Sequence, residues 1–394
     1  MTCLAAPLVR VSDLPIMSVS PAIQAALDHA VSDGVFPGAV LAVRFGGSQA
    51  QLACAGRLSA LAPDQAVTSS TVYDLASLTK PLATVTAIAL LIQEGHCHLK
   101  DRIETILPEL AGAPVGPATV WNLLTHSSGL PGWRGYYERL SGNAVFPVTE
   151  GAKTEAKQSL LRLLHEEPII YERGERSLYS DLGFMALGLV VERSSGMALD
   201  RFFSERIARP LKADLLRFIP MEEAEHVRQG SPVPHGGIAP TEEDSWRGRL
   251  LCGEVHDENA ASLGGVAGHA GLFGTAESVL AVTGSWLRAY RGHPSLLDSA
   301  IVQEFTARQQ RIPGSSWALG WDTPSSSSSS GQYFSSNSFG HLGYTGTSIW
   351  VDPDRELEVV LLSNRVHPTR KNELIRAFRP RIHDLVWREC AGSR

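Results

Sequence analysis

The sequence predicts an α+β protein: an antiparallel sheet flanked by helices, with an all-helical domain inserted between the parts of the sheet. Two observations carry that prediction. Strand signals gather at the two ends of the 394-residue chain, in residues 20–76 and 276–394, whereas residues 77–275 are dominated by apolar residues at helical spacing. Strands from the two ends must pair with each other to bury their apolar faces. The middle then becomes an insert, and the seam between the two parts is where a binding cleft is expected. Residues 1–19 have a short apolar patch but no basic lead and no signal-length apolar run. They are expected to be disordered, or a mis-assigned leader with Met17 as the true start.

Taken in order, Ser20-Pro21 offers an N-cap and a first-turn proline to a helix with Ile23, Leu27, Ala30 and Val31 on its apolar side, which stops near Gly34. Residues 39–45 and 50–55 read as a hairpin around Gly46-Gly47. The apolar run 81–92 reads as one helix starting at about Ser77, with Pro81 early enough to cost few backbone bonds. Further helices are expected at 120–124, 158–164, 182–191, 199–207 and 276–290. Strands are expected at 317–321, 341–351 and 356–362. A closing helix then places Leu374, Ile375, Phe378, Ile382, Leu385 and Val386 on one face, with a kink at Pro380. The polar run 325–330 with Gly331 cannot pack a core and is expected to be a mobile surface loop.

Composition narrows the function. Hydrophobic content of 43% and charge of 19% are those of an ordinary globular chain, and a net charge of -6 without a dense basic patch gives no reason to expect nucleic acid. No stretch reads as long and apolar enough to span a membrane. Five scattered cysteines without a C-x-x-C pair read as reduced thiols in a cytoplasmic protein. No metal or other cofactor is implied: His256, Glu258 and His269 lack established zinc spacing. There is also no G-x-S-x-G elbow, Walker loop or dinucleotide fingerprint. The partner expected is a small molecule.

The chemistry starts at Ser77-Leu78-Thr79-Lys80. Three residues is nearly one helical turn, so the Ser77 hydroxyl and the Lys80 ammonium share a face at a helix N-terminus. There the macrodipole favours an alkoxide, and a partly buried lysine can take the serine proton. A capping serine with a solvated lysine is the plain structural alternative, since a bare S-x-x-K is common by chance. Tyr179-Ser180-Asp181 precedes the 182–191 helix. Beside Ser77 and Lys80, a Tyr179 hydroxyl held partly as phenolate could shuttle the proton to the leaving group, although a tyrosine there is more often a packing residue. His341-Leu342-Gly343 opens the next strand and runs into Tyr344-Thr345-Gly346-Thr347. Gly343 lets substrate approach the strand edge, and a strand N–H can complete an oxyanion hole with that of Ser77.

These three markers, in this order, resemble the serine β-lactamase and penicillin-binding-protein superfamily, in its class C branch with the related esterases and D-aminopeptidases. The family pattern is S-x-x-K, Y-x-N and K/H-T-G, and Leu123-Leu124-Thr125-His126-Ser127-Ser128-Gly129-Leu130 is typical of the branch. The resemblance runs from about Ala22 to the C-terminus and implies a β-lactamase/transpeptidase-like fold and an acyl-enzyme. In that mechanism Ser77 is the nucleophile, Lys80 and Tyr179 handle the proton, and the N–H groups of Ser77 and Tyr344 hold the oxyanion. His341 supports the site electrostatically. Two departures matter: Asp181 replaces an asparagine, turning an amide into an anion that only accepts, and Leu342 replaces the hydroxyl residue that binds the substrate carboxylate.

A denser stretch holds Gly253-Glu254-Val255-His256-Asp257-Glu258-Asn259 and then Gly264 to Gly271, with His269 inside it. It resembles N-acetylmuramyl-L-alanine amidases and related esterases that act on cell-wall material. His256, Asp257 and Asn259 are expected to bind polar substrate groups, against the alternative of a self-satisfied loop tying the insert to the sheet. The reading is a serine hydrolase cleaving an amide or ester, on muropeptide-type substrates. A carboxylesterase, a weak β-lactamase or DD-peptidase, and a non-catalytic scaffold are the alternatives.

Overall fold

The computed structural model describes residues 17–61, 65–141, 146–228 and 237–390. Its main sheet has six strands: β1 (Met17–Ser18), β2 (Gly38–Phe45), β3 (Gln51–Gly56), β4 (Phe339–Leu342), β5 (Ser348–Asp352) and β6 (Leu357–Ser363). Their spatial order is β1-β3-β2-β6-β5-β4, antiparallel throughout except for the parallel β1–β3 pair. The two ends of the chain meet at β2–β6, where Leu41 faces Leu361. Alternate residues enter different cores. Val40, Ala42, Val360 and Leu362 face the helical middle of the chain, while Ala39, Leu41, Val359 and Leu361 face α1 (Pro21–Ser32) and α6 (Ile375–Cys390). Burial on both faces explains why β2 is apolar without alternation.

The helices of the middle and of the sheet's inner face share the larger core. Among them are α2 (Thr86–Gln93), α3 (Asp181–Ser195), α4 (Glu258–Ser262) and α5 (Ala276–Tyr290). The Gly-rich stretch lies against α3 so closely that a Cβ on Gly268 would sit 2.1 Å from Phe184 O. Thr84 Oγ1 donates to Gly268 O at 2.6 Å, which fixes the neighbouring His269.

The structure departs from the sequence expectations at several elements. The helix after Ser77 is not regular: a 3-10 turn (Ala76–Leu78) and a π-helical segment (Lys80–Val85) precede α2. Pro81 has no N–H to give to residue 77, and Thr86 Oγ1 instead reaches Pro81 O at 2.9 Å, so the register widens there. By length and composition Ala76–Gln93 could cross a membrane, contrary to the sequence reading, but 83% of it is packed inside the protein. Residues 317–321 form only isolated bridges, and residues 341–351 are two strands separated by a turn rather than one. The serine run packs against α6 and β5: Ser330 is fully buried, His383 Nδ1 of α6 donates to Ser329 O at 2.6 Å, and Trp350 Nε1 of β5 donates to Ser329 Oγ at 3.0 Å. Residues 1–16 of the expected disordered leader lie outside the described residues. Its end is not free chain, because Met17–Ser18 pairs with Gln51–Leu52 and Val19 is buried.

Candidate active site

Ser77 stands on a turn clamped from below. Asp74, buried, accepts from Ala76 N at 2.8 Å through Oδ1 and from His256 N at 2.7 Å through Oδ2. Thr345 Oγ1 donates to Asp74 O at 2.7 Å and Thr347 Oγ1 to Leu75 O at 3.1 Å, tying the turn to the segment between β4 and β5. Ala76 is thereby held at φ +48°, a left-handed conformation that costs a residue with a Cβ about 1–3 kcal/mol. Burial raises the Asp74 pKa, and the two N–H groups it accepts work against that rise. None of Asp74, Thr345 or Thr347 was singled out from the sequence. Their spacing follows no motif, and only the fold brings them together.

Lys80 is fully buried, and its Nζ reaches Ser77 Oγ at 2.9 Å, Asp181 Oδ1 at 2.6 Å and His269 O at 3.1 Å. Burial works against the ammonium, yet the Asp181 carboxylate and Tyr179 outweigh it, so the Lys80 pKa lies above its ordinary value. This corrects the expectation of a lysine that readily gives up its proton. Tyr179 interacts with both Lys80 and Ser77, and Lys80 Nζ lies 4.9 Å from its ring centroid. Burial raises the Tyr179 pKa, Lys80 opposes it, and the net shift is upward, so the group is a neutral phenol rather than a partial phenolate. Asp181 is placed by Ser180, which caps α3 by accepting from Gly183 N at 3.2 Å.

His341 sits at the end of β4, 6.0 Å from the Tyr179 ring. Burial and the Lys80 charge lower its pKa to about 3, so it is neutral, and its electrostatic role cannot be that of a cation. Its Nδ1 lies 2.8 Å from Leu342 O, and accordingly carries the proton. His126, also buried, accepts from Ser180 N through Nδ1, and its ring lies tilted 4.7 Å from that of Tyr179. The two rings and Trp317 form an apolar-walled seat for the phenol. Gly343 belongs to the turn, not to a strand, and does not line the cavity. Tyr344 does line it. Among the described residues the N–H groups of Ser77 and Tyr344 donate to no other protein group.

Of these groups Ser77, Tyr179, Asp181 and Tyr344 line a cavity of about 320 Å³. Its other wall carries His256, Asp257, Glu258 and Arg370, with Trp133 and Tyr344 each about half exposed (48% and 50%). His256 Nε2 donates to Glu242 at 2.9 Å, Arg370 pairs with Glu242 and Glu258, and His269 Nε2 donates to Asp257 Oδ1 at 2.7 Å. The three residues weighed as a metal trio thus go to three different partners. Against burial, His269 and the Ala260 N–H hold the Asp257 carboxyl far below the usual range. Asn259, expected at the cleft, is fully buried instead: its Oδ1 accepts from Tyr137 N and its Nδ2 donates to Arg134 O. It holds the 134–137 segment.

A six-stranded sheet with helices on both faces, and a serine and a tyrosine at one cavity with a buried lysine on the serine oxygen, define a serine-hydrolase type of protein. The description "Beta-lactamase" matches residues 23–380, and the chain belongs to that family. It is a β-lactamase-family serine hydrolase with a β-lactamase/transpeptidase-like fold. It is 32% identical to a putative D-alanyl-D-alanine carboxypeptidase of Escherichia coli (strain K12), over 76% of this chain and 70% of that protein. It is 30% identical to an N-acetylmuramyl-L-alanine amidase of Bacillus subtilis (strain 168), over 75% and 68%. Among solved structures, EstCE1, a hydrolase with promiscuous acyltransferase activity, matches with a TM-score of 0.71 at 20% identity, covering 93% of this chain and 97% of that one. A penicillin-binding protein homolog from Caulobacter crescentus matches with a TM-score of 0.70 at 20% identity, covering 95% and 100%.

Proposed function

We propose that the chain is an amidase that works through an acyl-enzyme on Ser77 and acts on cell-wall peptides of the muramyl type. The observation that carries the mechanism is the contact of Lys80 Nζ with Ser77 Oγ at 2.9 Å, with Tyr179 touching both. Ser77 Oγ attacks the substrate carbonyl while its proton passes through the Tyr179 oxygen to the leaving nitrogen, so no net phenolate forms. The Lys80 ammonium stabilises the negative charge that develops on the two oxygens during the transfer. The N–H groups of Ser77 and Tyr344 receive the carbonyl oxygen as it becomes an oxyanion. In the second half a water attacks the ester, its proton returning through Tyr179 to Ser77 Oγ.

The substrate class is supported by the wall chemistry. Asp181 and Asp257 present oxygens that only accept, so a substrate rich in N–H and O–H donors is favoured, and Trp133 and Tyr344 offer apolar faces at the mouth. Peptidoglycan fragments have that character, and the names of two relatives point the same way. Penicillins and cephalosporins, whose recognition uses the amide and hydroxyl missing at 181 and 342, are expected to be poor substrates. The test sets a penicillin, a short-chain aryl ester and a muramyl peptide carrying the lactyl–L-alanine amide side by side. The muramyl peptide should be fastest. A faster penicillin would overturn the argument from Asp181 and Leu342, and a much faster ester would favour a carboxylesterase.

A further inference from the structure

The turn between β4 and β5 contains a peptide unit whose two ends have different neighbours. Its carbonyl, Gly343 O, accepts from Arg379 Nη2 at 2.8 Å, and the same nitrogen donates to Thr347 O at 2.8 Å. Its other end is the Tyr344 N–H, which donates to no protein group among the described residues. In a planar trans peptide the C=O and N–H point in opposite directions. A guanidinium that pins the carbonyl from the α6 side therefore aims the N–H away from α6, on the side where Tyr344 lines the cavity with Ser77. The turn is pressed against the serine loop: a Cβ on Gly343 would lie 1.9 Å from Thr347 Oγ1 and 2.6 Å from Leu75 O.

Arg379 is an unusual buried cation. It is 6% exposed, and its Nε is buried without a partner among the described residues. Burial and the charges of Arg365 and Arg376 lower its pKa to about 9, which leaves it charged near neutrality, and among the described residues no carboxylate offsets them. By contrast Arg44 is paired with Glu358 and Arg247 with Glu254. A buried charge without a counter-ion destabilises the fold, so its retention at this place calls for a use of its field. Arg365 Nε donates to Tyr344 O at 2.9 Å, so both carbonyls flanking the Tyr344 residue are held by guanidinium groups.

We propose that Arg379 is a positioning residue of the oxyanion hole: it orients and polarises the Gly343–Tyr344 peptide so that the Tyr344 N–H meets the tetrahedral oxyanion formed at Ser77. A cation on the carbonyl end strengthens the N–H as a donor, and its field acts on charge that exists only in the transition state. The inference rests on the acyl-enzyme reading of Ser77.

The test compares Arg379→Gln and Arg379→Lys with the wild-type chain after circular dichroism and melting temperature establish folding. The readouts are kcat and KM on an aryl ester and the Kd of phenylboronic acid, whose adduct with a serine oxygen is a tetrahedral anion. Arg379→Gln is expected to lower kcat about tenfold or more, below the ~100–1,000-fold of deleting an oxyanion donor outright. KM should stay within about twofold, and boronate affinity should fall in step with kcat. Arg379→Lys, which keeps the charge but cannot reproduce the planar donor geometry, should lie between. Should the Gln variant not fold, the Lys variant decides alone: a parallel loss in kcat and boronate affinity supports the proposal, and wild-type values overturn it. Lowered stability with both readouts unchanged overturns it too. A wild-type chain that no fluorophosphonate labels at Ser77 would instead remove the acyl-enzyme reading on which the proposal stands.

Discussion

The two walls of the cavity differ in what their polar atoms are committed to. On the Ser77 wall, capacity is left over: the Ser77 hydroxyl touches Lys80 and Tyr179, and two backbone N–H groups donate to no protein group among the described residues. On the facing wall most groups are spent on one another, His256 on Glu242, Arg370 on Glu242 and Glu258, and His269 on Asp257. Proton transfer needs groups free to change partners, whereas recognition needs groups that stay put. The difference assigns chemistry to the first wall and shape and charge to the second. Asp74 joins them, since one oxygen holds Ala76 N and the other His256 N.

The sharpest way to break that division is at Tyr179. Replacing it with phenylalanine removes the relay while keeping the ring packed among His126, Trp317 and His341, and should lower kcat by roughly 10²–10⁴ with the fold intact. A loss below about tenfold would hand the proton to Lys80 alone. Asp181→Asn acts next. The carboxylate that raises the Lys80 pKa is gone, burial then dominates, and the pKa falls. The alkaline fall in kcat that accompanies loss of the Lys80 ammonium should therefore begin at lower pH, and penicillin turnover should improve. An unmoved pH profile would show that Asp181 does not set the charge of Lys80.

Asn259→Ala should separate the walls in the other direction. It leaves the Tyr137 N–H and Arg134 carbonyl without their partner at a partly buried site, costing about 1 kcal/mol in stability, while ester kcat stays within a few-fold. A large kcat loss at unchanged stability would return Asn259 to the substrate. His341→Gln should have the smallest effect on turnover near neutral pH, where the ring is neutral. Its signature is acid stability. From pH 6.5 down to about 3 the unfolded chain binds a proton at His341 that the folded chain does not. Stability is accordingly lost on acidification through that window, by about 1.4 kcal/mol per pH unit per such group. The variant should flatten the slope of melting temperature against pH, with His126, His367 and His383, and in the lower part of the window the Glu242 and Asp257 carboxyls, contributing to what remains. An unchanged slope would contradict a neutral buried ring.

The Ser77 wall was more legible in the sequence than its support. Ser77, Lys80 and Tyr179 stand out because the chemistry demands particular residue types there, Tyr344 stands out only by its place after His341-Leu342-Gly343, and the sheet followed from strand signals at both ends. What was not legible depends on contacts between distant segments. Nothing local marks Asp74 as the tether of two loops, Arg379 as the partner of Gly343 O, or the His269 carbonyl as a ligand of the Lys80 ammonium. The charge states of Lys80 and Tyr179 were misjudged for the same reason, because each is set by burial and by a neighbour far away in the chain. Asn259 was misplaced because a polar residue in a dense motif looks the same whether it faces a ligand or a backbone.

The central claim is that Ser77, activated within the Lys80–Tyr179 pair, becomes acylated. The most direct measurement is intact-protein mass spectrometry after treatment with a fluorophosphonate, followed by peptide mapping, in the wild type, Ser77→Ala and Tyr179→Phe. The account expects a single adduct on Ser77 in the wild type, none in Ser77→Ala together with loss of turnover, and markedly slowed labelling in Tyr179→Phe. An adduct on another residue, or full hydrolysis of the best substrate by Ser77→Ala, would contradict it.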